Sequence, residues 1–318
     1  MSTATETLSY APARPGLVAR FLASRFVAVL VVVAAIIAIW YIGALVLNAP
    51  FQRGIDERGG VTRGPIDFIV ACYSQPKPTL PAPHQVAIDL YKSVVLANPA
   101  KPSSLLYHAG VTLSSTVAGF IFGTLLGIVL AVGIVHVRSL DRSLMPWVIS
   151  SQTIPILALA PILVVVTFNL LSGQLHVPND ASRFVAKALI STYLSFFPVT
   201  VGMVKGLRSP DPFHLDLMRT YSATRAQVFW KLRWPSALPF LFVSMKIGIA
   251  ASLVGAIVAE LPTGAVAGIG AKLLQGSYYS QSIQMWSALV VGSVLAALLV
   301  VSVGVVERIA LGRMGRQS

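Results

Sequence analysis

The sequence has little charge and almost no cysteine. Only 11% of its 318 residues are charged, and Cys72 is the single cysteine, so no disulfide can form within the chain. Soluble domains carry about 25% charged residues, whereas 55% of this chain is hydrophobic and its mean hydropathy is +0.77. The composition excludes an ordinary soluble domain and predicts a protein built for a lipid bilayer.

Motifs for catalysis are also missing. The five histidines are scattered and contain no His-Glu-x-x-His pair that would bind zinc. The chain has neither a Gly-x-Ser-x-Gly elbow nor a phosphate-binding loop ending in Gly-Lys-Ser/Thr. We therefore expect no catalytic residue, no bound metal and no cofactor on this chain, and any ATP would have to be hydrolysed by another polypeptide.

The net charge of +13 raises the possibility of nucleic acid binding. The basic residues lie between apolar segments rather than in one patch, and this distribution fits membrane orientation better. We expect a lipid bilayer as the partner, and no nucleic acid.

Six apolar segments approach or exceed the length of about 20 residues that one membrane-crossing helix needs. The first, Phe26 to Leu47, is too long for the apolar core of a cleavable signal peptide, and we interpret it as an uncleaved span. Pro155 and Pro161 interrupt the third segment, which we expect to be kinked or broken. The second to sixth segments are 109–135, 144–171, 184–206, 238–261 and 285–306. The predicted fold is an all-helical membrane protein with six spans.

Lysine and arginine in the short loops set the orientation of these spans. If the N-terminus is cytoplasmic, the short loops of the opposite side hold only Arg183 and Lys272. This bias predicts that both termini and the 209–237 loop are cytoplasmic. The resulting order is a cytoplasmic tail (1–25), the first span (26–47), a periplasmic loop with a short helix over 85–96 (48–108), a five-helix core (109–307) and a basic cytoplasmic tail (308–318).

The 209–239 interval is a polar, basic stretch between two apolar segments. Apolar residues recur at every fourth position in its first half, namely Phe213, Leu217 and Tyr221. This spacing predicts a helix with one apolar stripe. Thr224 and Gln227 have the spacing of a capping box, which predicts a second helix after a break at Ser222. We expect that helix to be closed by two prolines, Pro235 and Pro239. The interval is either a surface that a soluble partner grips or an ordinary loop.

This interval resembles the cytoplasmic loop of the permease subunits of bacterial ABC importers, the binding-protein-dependent transport inner-membrane family. That loop reads Glu-Ala-Ala, three residues, Gly, nine residues, Ile-x-Leu-Pro. Asp216 stands in place of the Glu, and Ser222 in place of the Gly. The resemblance implies that the loop docks into a cleft of an ATPase subunit. The residues it assigns to docking are Asp216, Leu217, Met218, Arg219, Ser222, Ala223, Pro235, Leu238 and Pro239.

Ser222 is the main departure from that pattern. A glycine could adopt a left-handed backbone between the two helices, whereas serine loses about 1 kcal/mol in the same conformation. We therefore expect either a modified turn or a particular ATPase partner.

Other segments, spread over residues 80–307, resemble the nitrate, sulfonate and taurine branch of this family. They are Leu80-Pro81-Ala82-Pro83, Gln152-Thr153-Ile154-Pro155, Phe196-Phe197-Pro198 and the run from Val254 to Glu260. The resemblance implies a permease subunit in the bacterial inner membrane, which is not itself an enzyme. Its expected partners are two copies of an ABC ATPase that binds the ATP, a periplasmic or lipid-anchored solute-binding protein, and a second permease copy.

The solute implied by this resemblance is either a small anion such as nitrate, a sulfonate or taurine, or a flat heterocycle such as a pyrimidine thiamine precursor or riboflavin. The Gln152-to-Pro155 segment and the Phe196–Phe197 pair tilt the interpretation slightly to heterocycles. The chief alternative is a secondary transporter that works without an ATPase. The sequence shows no paired intramembrane charge and no obvious repeat, which are common in such proteins.

Five residues are candidates for the translocation pathway. Four of them, Gln152, Thr153, Phe196 and Phe197, lie in predicted spans and either line the path or pack against neighbouring helices. Glu260 ends the fifth span and is either functional or a carboxylate at the outer interface that caps the loop at Pro262. Lys246, in the same span, is expected to reach the cytoplasmic headgroups.

Small residues form a row in the second span at Gly119, Gly123 and Gly127. Small side chains at this spacing let two helix backbones approach closely in lipid. The row predicts packing either within one subunit or between two copies.

Overall fold

A chain segment in lipid must satisfy its own backbone hydrogen bonds, and a helix does so within one segment. The computed structural model describes residues 25–262 and 266–312, and these ranges contain helices and no strand. Six helical segments are long and apolar enough to cross a membrane: Phe26–Gly59, Leu105–His136, Ile156–Gln174, Asn179–Leu207, Arg225–Glu260 and Ser282–Gly312. The predicted six-span, all-helical fold is confirmed. Most of the two predicted tails, residues 1–24 and 313–318, lies outside the described residues.

The chain divides into two units after Gln85. The first contains helix α1 (Arg25–Gly59) and helix α2 (Pro65–Tyr73). Helix α1 continues through Pro50 and well beyond the predicted end of the first span at Leu47. Its extension carries polar side chains at every fourth position, at Asn48, Gln52 and Asp56, and these three are buried.

Hydrogen bonds from this polar row hold the first unit together. The Asn48 amide nitrogen donates to the Leu80 carbonyl oxygen (2.9 Å), and the Leu80 N–H donates back to the Asn48 side-chain oxygen (3.1 Å). The Gln75 amide donates to Gln52 Oε1 at 3.0 Å, and Gln52 donates to Asp56 Oδ1 at 2.9 Å. The long segment after the first span is therefore folded against the extension of α1.

The second unit contains the remaining described helices. Helix α3 (Pro83–Leu90) leads into it and continues as a π-helical turn (Tyr91–Leu96). The others are α4 (Leu105–His136), α5 (Arg138–Ser150), α6 (Ile156–Phe168), α7 (Asn179–Leu207), α8 (Pro212–Thr220), α9 (Arg225–Val228), α10 (Trp234–Glu260), α11 (Ile269–Tyr278) and α12 (Ser282–Gly312). The predicted face of the 85–96 helix packs inward, because Leu90 and Val94 contact the buried cluster around Leu105.

Helices α4, α7 and α10 form the centre of the second unit. The small-residue row of α4 lies against α7 of the same chain: a methyl carbon added at Gly119 would stand 2.2 Å from Ser191 Cβ. At Gly123 the added carbon would stand 2.0 Å from Ser195 Oγ. The structure thus places this row in packing within one subunit, where no side chain larger than hydrogen fits.

Prolines act differently in the third and fifth spans. The third span breaks at a 3₁₀ turn (Ser151–Thr153) before Pro155, whereas Pro161 lies inside α6. The prediction that Pro235 and Pro239 close the second helix of the 209–239 interval is wrong, because the helix is continuous from Arg225 to Glu260. Pro235 stands in the first turn of α10, directly after a π-helical turn (Phe229–Arg233), where a wider turn tolerates a missing donor.

Candidate functional site

The 209–237 region, called the coupling segment below, begins with a helix fixed by local bonds. The Asp211 side chain accepts a hydrogen bond from the Phe213 N–H at 2.8 Å, and Pro212 follows at the first helical position. No described residue covers the apolar stripe of α8: Phe213, Leu217 and Tyr221 are all exposed. Exposed aromatic and aliphatic side chains on one helix face are typical of a surface that binds another protein.

The turn after α8 has the backbone that a glycine would adopt. Ser222 has a φ of 52°. Its N–H donates to the Arg219 carbonyl oxygen (2.8 Å), and the Ala223 N–H donates to the Met218 carbonyl oxygen (3.0 Å). This pair of bonds is the Schellman motif that ends many helices. Of the two expectations for Ser222, the modified turn does not occur: the serine keeps the left-handed conformation.

The capping box that restarts the helix is confirmed. The Gln227 N–H donates to Thr224 Oγ1 at 3.3 Å, and the Thr224 N–H donates to Gln227 Oε1 at 2.8 Å. The break at Ser222 and the second helix therefore lie where the spacing predicts them.

The second half of the coupling segment is anchored in the bundle. Phe229 and Trp234, with Leu238 directly after the segment, pack against a buried cluster formed by α4, α7 and α10. An ion pair between Arg208 Nη2 and Asp141 Oδ2 (2.9 Å) joins the end of α7 to α5 beside it. The apolar face of α8 is therefore exposed, whereas the second half of the segment packs against the helical bundle.

The nine predicted docking residues divide between these two halves. Asp216, Leu217, Arg219 and Ser222 are exposed on or after α8, and Asp216 pairs with Arg219 at 2.9 Å. Met218 and Ala223 are half-buried there. The last three, Pro235, Leu238 and Pro239, are half-buried at the base. The structure thus separates a contact surface from its attachment.

At the other end of α10, Glu260 is completely buried. Its carboxylate accepts hydrogen bonds from Thr112 Oγ1 (2.9 Å) and from the Gly270 N–H (2.8 Å). Lys187 Nζ, on α7, lies 3.5 Å from Glu260 Oε1. The carboxylate is therefore neither at a solvent interface nor open to lipid; it joins four helices.

Side chains from α4 and α10 bind the first N–H groups of α11, which have no partner within that helix. The Gly268 N–H donates to His108 Nδ1 (3.0 Å), and the Ile269 N–H donates to Thr112 Oγ1 (2.9 Å). The next N–H, of Gly270, is the donor to Glu260 already described. A carboxylate at a helix N-terminus also complements the helix dipole. The Glu260 cluster is the name used below for His108, Thr112, Lys187, Glu260 and the N-terminal residues 268–270 of α11 that they bind.

The bonds of His108 define its protonation state. Because Nδ1 accepts from the Gly268 N–H, that nitrogen carries no proton. Nε2 lies 2.9 Å from the Pro102 carbonyl oxygen and is therefore the nitrogen that donates. A second proton on His108 would remove the bond to Gly268, so the cluster requires the neutral imidazole.

The prediction of no paired intramembrane charge is wrong. Lys187 pairs with Glu260, and Lys246, expected to reach the headgroups, pairs with Glu307 of α12. Both pairs join residues far apart in the sequence, so no local spacing reveals them. The charge pattern of the spans therefore does not argue against a secondary transporter.

The five predicted pathway residues do not form one site. Gln152 and Thr153 are exposed in the 3₁₀ turn, and Phe196 and Phe197 are half-buried on α7. Tyr193 Oη donates to the Ser151 carbonyl oxygen, which connects α7 to that turn. Glu260 contacts α7 at Lys187. Lys187 lies six residues before Tyr193, or about 9 Å along the axis of α7 at 1.5 Å per residue, so Glu260 is separate from the 3₁₀ turn.

Comparison with known proteins agrees with this architecture. Residues 123–315 match the family described as the binding-protein-dependent transport system inner membrane component. The formylaminopyrimidine transport permease protein ThiX of Halalkalibacterium halodurans is 31% identical over 194 residues, which are 60% of this chain and 68% of the relative. The riboflavin transport system permease protein RibX of Chloroflexus aurantiacus is 27% identical over 70% of this chain and 82% of its own. The taurine transport system permease protein TauC of Escherichia coli is 24% identical over 72% and 78%.

Proposed function

Because the chain belongs to the binding-protein-dependent inner-membrane components of ABC importers, in their sulfonate and taurine type branch, we propose that it couples a separate ATPase to solute movement through residues 209–237. Members of this family are transport permeases of small solutes in the inner membrane, not enzymes.

The observation that carries the proposal is the exposed apolar face of α8. Phe213, Leu217 and Tyr221 face solvent on a helix that is fixed at both ends by caps. An apolar helix face that no described residue covers is suited to bind in the cleft of a protein partner. In this proposal the partner is the ATPase, which binds and hydrolyses the ATP, while this chain binds no cofactor.

The proposed complex contains two ATPase subunits, two copies of this permease and a solute-binding protein on the outer side. ATP binding closes the ATPases, draws the two coupling segments together and opens the pathway outward to the binding protein. Hydrolysis reverses the movement. The support for transmission is the attachment of the segment: α9, its π-helical turn and α10 continue without a break from Arg225 to Glu260.

The test is co-purification combined with uptake. Tagged permease in mild detergent is expected to bring down an ATPase, and solute uptake is expected to stop when ATP is depleted. Charge reversal at Asp216 (Asp216→Arg) should weaken both, while the same reversal at exposed Glu57 in the first unit (Glu57→Arg) should weaken neither. Uptake that persists without ATP, with no ATPase recovered, would establish the secondary transporter instead.

The solute class is tested by a panel. Reconstituted complex with its binding protein is assayed for solute-stimulated ATP hydrolysis with sulfonates, taurine and nitrate on one side and pyrimidines and riboflavin on the other. The class that raises hydrolysis above the basal rate identifies the transported chemistry.

A further inference from the structure

A cavity of about 360 Å³ lies beside the Glu260 cluster, between the outer ends of α4 and α7. Its volume falls within the range of small-molecule sites. Its lining includes the apolar or aromatic residues Tyr107, Val111, Phe184 and Val266 and the charged residues Asp180, Arg183 and Lys187. No function described so far uses this cavity.

Lys187 brings a buried cation to the cavity. It is 5% exposed and lies eight residues after the start of α7, about 12 Å along the helix axis. Its ammonium group has three donors, but among the described residues it makes one hydrogen bond, of 3.5 Å, to Glu260. The Glu260 carboxylate also accepts hydrogen bonds from Thr112 and Gly270, so Lys187 is one of several donors to it.

Arg183, one turn nearer the outer end of α7, adds a second cation. Its guanidinium carbon lies 5.8 Å from the centroid of the Phe168 ring, which holds the planar group in place. Its Nε atom is buried and has no hydrogen-bond partner within the described ranges. A buried donor without an acceptor is costly, so no described residue compensates this part of the guanidinium group.

The carboxylate of the lining does not neutralise these cations by pairing. Asp180 forms no ion pair with Arg183 or Lys187 in the part of the chain that the structure describes. Two cations with unused donors therefore face a space walled by aromatic and aliphatic side chains. Arginine and lysine in such a setting bind carboxylate, sulfonate or phosphate groups.

We propose that this cavity binds the oxyanion group of the transported solute, with Arg183 and Lys187 as its donors and Tyr107 and Phe184 against its organic part. The inference rests on the proposed transport function and narrows its solute class to acidic molecules. It differs from the slight tilt to neutral heterocycles that the Phe196–Phe197 pair suggested. An acidic headgroup of a lipid has the same chemistry, but the depth of Lys187 in the span favours a free solute.

The test uses a cysteine on the cavity wall and two thiol reagents of opposite charge. In a Cys72→Ala background, Ser114→Cys places a thiol in the lining, and Ala100→Cys places one on an exposed outer turn as the reference. The probes are the sulfonate-bearing reagent MTSES and the trimethylammonium-bearing reagent MTSET, applied to the complete complex in lipid-free detergent. The measured quantity is the MTSES/MTSET rate ratio at residue 114 divided by the ratio at residue 100.

We expect this normalised ratio to be about 10 or more, because a cationic cavity concentrates anions. Arg183→Gln should bring it close to 1, whereas Arg58→Gln, at an exposed arginine of the first unit, should leave it unchanged. Methanesulfonate should slow labelling at residue 114 in a saturable manner, and the neutral isostere dimethyl sulfone should not. A normalised ratio near 1, or equal protection by both compounds, would overturn the proposal.

A separate arm distinguishes solute from lipid. Protection of residue 114 by phosphatidylglycerol but not by methanesulfonate would assign the cavity to a lipid headgroup and overturn the solute assignment. None of these readouts measures ATP hydrolysis or ATPase binding. Loss of ATPase binding with intact anion selectivity would therefore count against the proposed coupling, and the reverse pattern would count against the cavity alone.

Discussion

The coupling segment and the Glu260 cluster lie at opposite ends of one continuous helical segment and are built in opposite ways. In the coupling segment, the bonds that define the turn join residues two to five positions apart, and the side chains are exposed. In the Glu260 cluster, Thr112 binds a carboxylate 148 positions away and His108 binds a backbone group 160 positions away, all buried. Substitutions should therefore change partner binding at one end and folding at the other.

The largest effect is expected from breaking the buried ion pair. Lys187→Met or Glu260→Gln leaves the other group buried without its partner, and each should lower the free energy of unfolding by about 3–5 kcal/mol. The double variant should recover part of the loss, because both charges are then gone. The measurement is thermal unfolding in detergent.

A lysine outside the cluster serves as the control for that experiment. Lys272 is half-buried and bonds Gln275 Oε1 at 3.4 Å, so Lys272→Met should change stability little. If all three single variants unfold at the same temperature, the Lys187–Glu260 pair does not hold α7 and α10 together.

A smaller loss is expected from Gly268→Ala. Gly268 has a φ of 134°, and an added Cβ would lie 2.2 Å from Glu260 Cδ. Strain and displacement of the carboxylate together should lower stability by about 3 kcal/mol. Gly173→Ala is the matched control, since an added Cβ there meets nothing within 4 Å. Equal unfolding temperatures for the two variants would show that the carboxylate moves aside freely.

At the other end, Leu217→Glu should leave stability unchanged and weaken the ATPase complex. An exposed apolar residue at the centre of a docking face contributes about 2 kcal/mol, or roughly 30-fold in Kd. The measurement is binding of purified ATPase to immobilised permease. Val61→Glu, at another exposed apolar position, is the control. A drop in the unfolding temperature of the Leu217→Glu variant would contradict the prediction, because it would show that Leu217 stabilises the fold.

The smallest effect is expected from Ser222→Gly. Glycine adopts the left-handed backbone of this turn more readily, so the end of α8 should be stabilised by about 1 kcal/mol. Amide hydrogen exchange of residues 218–223 should slow by a corresponding factor of about five. Faster exchange in the glycine variant would mean that bonds of the serine side chain hold the turn.

What could be predicted from the sequence follows the same contrast. The six spans and the capping box were predictable because apolar length and the Thr224–Gln227 spacing are signals carried by adjacent residues. The continuation through Pro235 was not, because a π-helical turn relieves the proline and has no spacing of its own.

The Glu260 cluster could be predicted only in part. Glu260 stood out as an ionisable residue at the end of a span, but its partners come from α4, α7 and α11. A signal for Lys187 was present, since it lies inside the apolar segment 184–206 and an intramembrane cation needs a partner. His108 and Gly268 carried no such signal, because their roles arise only when α11 folds back to α4.

The unbroken helical segment from Arg225 to Glu260 has a mechanical consequence. Its 36 residues extend for about 54 Å at 1.5 Å per residue. Tilting a rod of that length by about 5° around its centre moves each end by about 2 Å, in opposite directions. A hydrogen bond of 2.8 Å, such as the one between Gly270 and Glu260, does not survive a shift of that size. A small tilt of this helical segment is therefore enough to break the hydrogen bond between Gly270 and Glu260 at its C-terminal end.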